Sequence, residues 1–247
     1  MRSLAFAILF AVVSPAHADE IKVLSGNGAR SAVAELGARF ERASGHKVSI
    51  QFAVNVEVKR RIDRGEAFDA AILNPPVLDA LIKEGKVLGE TRTVIGRAGI
   101  GAAVRADAPK PDLSTVDAFK RTLLASTAVA YPGEGASGKY FAGLVERLGI
   151  GAEMKPKMRP LSAESNVEAL TRGEADLVVV VASRIPGVPE VKFAGLIPQE
   201  LQTWIGFTGG VSSAAKAPQA ARELLRSFTT PAAAEVLTAA GVQPFIE

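Results

Sequence analysis

Short apolar runs alternate with stretches of helical period along almost the whole chain. Residues 21–24 (Ile-Lys-Val-Leu) read as a strand. Residues 29–43 follow with Ala32, Val33, Leu36, Phe40 and Ala43 on one helical face and Arg39, Glu41 and Arg42 off it. Ser44-Gly45 stops this helix, because glycine takes the left-handed backbone that ends a helix without a Cβ clash. A strand over 48–52, a helix over 57–64 ended at Gly65, a strand over 68–73 and a helix opened by Asn74-Pro75-Pro76 and running to Lys83 continue the pattern, and 100–104 is strand-like again. After the proline-rich stretch 108–111, Ser114 is placed to cap a helix to Leu124. A strand over 128–131, a helix over 138–148, a short helix over 167–172 and an all-apolar strand over 177–181 come next. The last of these suits the centre of a parallel sheet, where both faces are covered. Helical stretches over 219–228 and 232–240 close the chain. Strand and helix units in alternation predict an α/β fold built on parallel strands.

One segment echoes another. Arg64-Gly65-Glu66-Ala67-Phe68-Asp69 and Arg172-Gly173-Glu174-Ala175-Asp176 each follow a predicted helix and lead into an apolar strand. The repeated helix–glycine–strand context predicts two similar α/β lobes with a ligand cleft between them. The chain would cross near 104–109 and return near 191–207, giving one lobe of 19–104 with 206–247 and a second of 105–205.

Composition narrows the classes. The 247 residues are 48% hydrophobic and 22% charged, which is ordinary for a globular chain with a full core. The 29 Lys and Arg against 26 Asp and Glu alternate in sign, and no basic stripe with interleaved aromatics appears, so no nucleic-acid partner is expected. Met1-Arg2, the apolar run 4–13, a Ser14-Pro15 break and Ala16-His17-Ala18 have the form of a cleaved secretory signal over 1–18. Its removal would take the net charge from +3 to +2 by deleting Arg2 and leave an exported, soluble chain. With no cysteine and only His46 left beyond the signal, neither a thiolate or histidine metal site nor a histidine-based triad has the residues it needs. No metal, no cofactor and no catalytic residue is expected.

The chemistry concentrates between strands and helices. Ser25-Gly26-Asn27-Gly28, Ala53-Val54-Asn55, Pro132-Gly133-Glu134-Gly135-Ala136-Ser137 and Ala163-Glu164-Ser165-Asn166 each join a strand to a helix. Helix N-termini carry unpaired N–H groups and partial positive charge, and glycines admit a ligand close to the backbone. In such sheets ligands bind at the carboxyl ends of the strands. Two facing lobes would bring all four junctions to one cleft suited to an anion, whereas each loop taken alone reads equally as a cap or turn. Residues 133–139 fit the start of a phosphate-binding P-loop, but Tyr140 stands where a magnesium-binding hydroxyl is needed, which argues against a nucleotide.

From Glu20 onward the chain resembles the periplasmic molybdate-binding proteins and their relatives, the type II binding proteins of ABC transporters. The resemblance rests on the amphipathic helix 29–45, on Gly65-Glu66-Ala67-Phe68-Asp69-Ala70-Ala71-Ile72, on 133–148 with its Gly-Lys-Tyr-Phe-Ala start, and on the closing Pro231-Ala232-Ala233-Ala234-Glu235 helix. It implies a periplasmic monomer whose cleft closes on an oxyanion through neutral hydrogen bonds, and whose partner is an inner-membrane permease. The binding positions it implies are Gly28, Asn55, Ser137 and Asn166, with the neighbouring Asn27, and Val180 or Val181 near the hinge. Molybdate binders usually carry hydroxyl residues where this chain has Gly28 and Asn55, and often a tyrosine near Val180 or Val181. The ligand therefore stays open between a molybdate-like oxyanion and a small carboxylate, for which Arg30 and Arg184 are the charge partners to consider. An exported enzyme using the same cleft, or a sensory binding protein for a receptor, is the alternative.

Overall fold

A computed structural model describes residues 18–245 of the chain; the predicted signal over 1–18 lies, but for Ala18, outside the described residues. The first half runs β1 (Glu20–Gly26), a 3-10 turn (Asn27–Ala29), α1 (Arg30–Ser44), β2 (Lys47–Ala53), α2 (Asn55–Asp63), β3 (Ala70–Leu73), α3 (Pro75–Lys83) and β4 (Thr93–Arg105). It continues through α4 (Val116–Ala125), β5 (Val129–Pro132), α5 (Ala136–Arg147), the single turn α6 (Gly151–Met154), β6 (Met158–Leu161), β7 (Leu177–Val181) and a 3-10 turn (Ala182–Arg184). The chain closes with β8 (Val191–Leu196), β9 (Trp204–Val211), α7 (Pro218–Ser227), α8 (Pro231–Ala239) and β10 (Gln243–Pro244).

The strands line up in the order β2-β1-β3-β9-β4-β7-β5-β6, with β8 and β10 pairing to β4. β1 is parallel to both β2 and β3, while β9 runs antiparallel to β3 and β4. β4 joins the two halves of the molecule. Its Thr93–Gly99 part pairs with β9, and from Ile100 onward it pairs with β7 and β8. The change of partner falls inside the strand, upstream of the crossing expected at 104–109. On the far side β7 and β6 flank β5, both parallel to it.

One large apolar cluster runs through both halves, and each half adds a smaller one of its own. α1 turns Ala32, Val33 and Leu36 inward to meet Ile21 and Val23 of β1 and Ala221, Leu224 and Leu225 of α7. It ends at Gly45, whose φ of 78° lets its N–H reach the Glu41 carbonyl. In the other half Phe119 and Leu123 of α4 and Phe141, Leu144 and Val145 of α5 close over Val129, Leu177 and Val179. A buried Leu or Phe in such a cluster contributes about 1.5–3 kcal/mol.

The internal echo marks one structural device used twice. Gly65 and Gly173 both take left-handed backbone, at φ 88° and 69°. Asp69 then accepts the Lys22 N–H of β1 (2.8 Å), and Asp176 accepts the Thr127 and Ala128 N–H groups (2.8 and 3.1 Å) that lead into β5. In each half the aspartate ties the start of its strand to the parallel strand beside it.

Several expectations are corrected. Thr115, not Ser114, caps α4: its Oγ1 accepts the Ala118 N–H at 3.1 Å, and Ser114 instead donates its own N–H to Asp112. Residues 167–172 form successive turns rather than a helix, with bonds of mixed span such as Leu170 N–H to Val167 O and Glu174 N–H to Ala169 O. The Asn166 side chain competes for the Ser162 carbonyl that a regular first turn would use. β7 is parallel to β5 only and antiparallel to β4. Strands β6, β8, β9 and β10 have no counterpart in the sequence reading. β9 is hidden by its own glycines, which lower strand propensity but admit Pro75, Leu225 and Val87 against the backbone at Gly206, Gly209 and Gly210.

Candidate functional site

The carboxyl ends of β1, β2, β3, β5 and β7, together with the turns after β6, surround one pocket. Its lining includes Asn27, Gly28, Asn55, Asn74, Ser137, Ala163, Asn166, Val180, Val181, Arg184 and Ile205, and it encloses about 50 Å³. Eight of the nine positions singled out from sequence therefore meet on one surface: Asn27, Gly28, Asn55, Ser137, Asn166, Val180, Val181 and Arg184. Arg30 does not line the pocket. Its guanidinium donates to Asn27 Oδ1 (2.8 Å) and stacks over Phe52, 4.5 Å from the ring centroid.

The wall contributed by the first half is tied together internally. Asn27 donates from Nδ2 to Glu164 Oε1 at 2.8 Å, so both ends of its amide are engaged and one bond reaches across to the other half. Asn55 Oδ1 accepts the Asn74 N–H (2.9 Å) while its Nδ2 donates to Asn74 Oδ1 (3.3 Å), locking two strand ends side by side. Gly28 lies against Phe207 so closely that a Cβ would come within 2.7 Å of the ring, which explains why no larger side chain stands there. Its carbonyl accepts Ser183 Oγ at 2.5 Å, a second bond between the halves.

The wall from the second half is different. α5 begins directly on the end of β5: a Cβ at Gly138 would fall 1.5 Å from the Pro132 carbonyl oxygen, so only glycine permits this approach. Gly135 supplies no side-chain cap, and neither does Val54 at α2, so first-turn amides of both helices face the pocket end without a side-chain acceptor. Ser137 is buried and lines the pocket. Asn166 is 1% exposed; it donates Nδ2 to the Ser162 carbonyl at 2.8 Å and leaves Oδ1 without a protein partner. Arg184 donates Nη2 to the Ala163 carbonyl at 2.8 Å, and its buried Nε–H is unpartnered. Burial lowers the Arg184 pKa, Glu168 opposes the shift, and Arg30 adds to it. An anion beside Arg184 would relieve that desolvation.

Asn74, Ser183 and Ile205 were not anticipated from sequence. Asn74 carries the same signal as Asn55, a polar residue between a strand and a helix, but Pro75-Pro76 drew the reading toward a helix start alone. Among the described residues no cluster of three or more His, Cys, Asp or Glu is placed to hold a metal ion. None of their helices is long and apolar enough to cross a membrane.

Parallel strands that deliver helix N-termini to a shared pocket, with polar side chains from two halves around it, define a ligand-binding protein. The family model for bacterial extracellular solute-binding proteins matches residues 21–243, and the chain belongs to that family. It is 33% identical over 230 residues to a protein of a Pseudomonas species named aconitate isomerase, covering 91% of this chain and 87% of that one. The fold is that of the type II, molybdate-binding-like periplasmic proteins. The periplasmic molybdate-binding protein of Azotobacter vinelandii superposes with a TM-score of 0.76 at 18% identity, over 90% of this chain and 98% of that one. The sulfate-binding protein SubI from Mycobacterium tuberculosis gives 0.70 at 18%, over 92% and 87%.

Proposed function

We propose that the pocket captures a small di- or tricarboxylate outside the cytoplasm and that the chain presents it to an inner-membrane ABC permease. The observation that carries this reading is Arg184: a guanidinium in the pocket wall with a buried, unpartnered Nε–H. A planar carboxylate matches that fork with two parallel bonds, whereas the neutral-donor scheme of an oxyanion site has no need of a buried cation. Uncapped amides at α2 and α5 and the Ser137 hydroxyl supply further donors. Val54, Glu134 and Ala163 also line a neighbouring groove of about 550 Å³ flanked by Phe52, Pro160 and Leu161. One carboxylate fits the inner pocket, and the groove leaves room for the rest of a longer acid. The 33% identical relative is named for a tricarboxylate, which agrees with this class. In the same reading residues 1–18 are a cleaved signal, the mature chain is a monomer, and lobes of 19–104 with 206–247 and of 105–205 close on the ligand.

A second reading takes the relative's name further. Glu134 lines both the pocket and the groove and is exposed to solvent, so a carboxylate is available beside a bound ligand. Isomerising aconitate requires loss of a methylene proton and return of one to the allylic anion; no electrons are gained or lost overall. A single carboxylate taking and returning the proton would suffice.

A thermal-shift screen of the mature chain with cis- and trans-aconitate, citrate, tricarballylate, sulfate and molybdate tests both. A ligand at a hundred times its Kd stabilises by about 2.7 kcal/mol. Polycarboxylate stabilisation without chemical change by proton NMR supports capture, and interconversion of the aconitates assigns the isomerase. Stabilisation by molybdate or sulfate alone overturns the carboxylate class.

A further inference from the structure

We infer that Asn166 is a specificity-determining residue whose Oδ1 reads a hydroxyl donor on the ligand, so that the preferred acid carries an O–H beside its carboxylate. The inference rests on the carboxylate reading above and narrows it. Asn166 is 1% exposed and lines the pocket. Its amide orientation is set by a neighbour: Nδ2 donates to the Ser162 carbonyl at 2.8 Å, and exchanging the amide atoms would press two acceptor oxygens together at that distance. Oδ1 is thus fixed as an acceptor, is buried, and has no partner. A buried acceptor without a donor costs more than an ordinary hydrogen bond returns, so such atoms in a site point to the partner they await.

That partner is constrained in chemistry. A fully ionised oxyanion or a simple carboxylate offers only lone pairs and would set oxygen against oxygen at Asn166. Arg184 Nε–H, in the same wall, awaits the opposite kind of atom, an acceptor. Of the three buried unpartnered atoms, Glu168 Oε2 belongs to a residue outside the pocket lining; the donor of Arg184 and the acceptor of Asn166 belong to lining residues and complement a group that presents an ionised oxygen and an O–H together, as a 2-hydroxy carboxylate does. Sites built to bond a hydroxyl reject the analogue lacking it far more strongly than apolar pockets sense a methylene, because the site atom is then left bare.

Matched acids that differ only in the hydroxyl make the test: malate against succinate and citrate against tricarballylate, each titrated calorimetrically into the mature chain. The hydroxy acid of each pair is expected to bind at least about tenfold more tightly. In Asn166→Ala that ratio should fall below about twofold, with the affinity for the deoxy acid little changed. Equal affinities within the wild-type pairs overturn the inference while leaving the carboxylate reading standing. No binding of any carboxylate overturns both. Equal wild-type affinities overturn the inference whether or not the variant folds, and a hydroxy-acid preference unchanged in a folded Asn166→Ala overturns its assignment to Asn166.

Discussion

The two walls of the pocket are made from the same kind of junction and end in opposite states. On the first wall the amides of Asn27, Asn55 and Asn74 engage one another, Arg30 and Glu164. On the second, Asn166 and Arg184 each keep a buried polar atom that no described residue satisfies, as does the neighbouring Glu168. A polar group satisfied inside the protein holds shape; one left unsatisfied in a pocket waits for a ligand. On the proposed function the first wall is a frame and the second a reader, although both look alike as strand–loop–helix text.

This division is broken most directly at Arg184. Arg184→Met is expected to weaken carboxylate binding by about 10- to 100-fold, the worth of hydrogen bonds to a charged group. An unchanged melting temperature keeps Arg184 in the reading wall, whereas a loss of stability in thermal unfolding, from leaving the buried Glu168 oxygen without its neighbouring cation, would make it part of the frame. On the opposite wall Gly28→Ala forces a Cβ toward Phe207 and should destabilise by about 1–3 kcal/mol in denaturant unfolding. Asn55→Ala strips the Asn74 N–H of its acceptor and should lower stability by about 1 kcal/mol. Its effect on ligand affinity should be smaller than that of Ser137→Ala, which is expected to weaken binding about fivefold and leave unfolding unaffected.

The smallest effect lies away from the pocket. Arg61 and then Lys22 hold the Glu66 carboxyl down at about 2. A carboxylate lowered in the folded state stabilises fully above its unfolded value and loses that contribution as pH falls through the folded one. Melting temperature should therefore drop between about pH 5 and pH 2 more steeply in the wild type than in Glu66→Gln. Identical slopes would remove Glu66 from the acid response.

The rhythm of strand, loop and helix made the junctions legible, because apolar runs and helix starts are local signals. Asn27, Gly28, Asn55, Ser137 and Asn166 could thus be located before their neighbours were known. What each would do there was not legible. Arg30 and Arg184 are alike in sequence, yet one is drawn off by Asn27 and Phe52 and the other is buried in the wall. The long-range pairing of β4 with β9 and β7 joins the two halves and so bears on which arginine lines the pocket. That pairing was unreadable where β9 carries three glycines and where β4 changes partners within one strand. The turns over 167–172 were misread for a related reason: their course depends on a side chain, Asn166, donating to the Ser162 carbonyl one turn back.

The most direct test is a calorimetric titration of the mature chain with citrate and, separately, with molybdate. A pocket read by Arg184 and Asn166 predicts saturable one-to-one binding of citrate and no measurable heat from molybdate at the same concentration. Tight one-to-one binding of molybdate, with citrate silent, would contradict it.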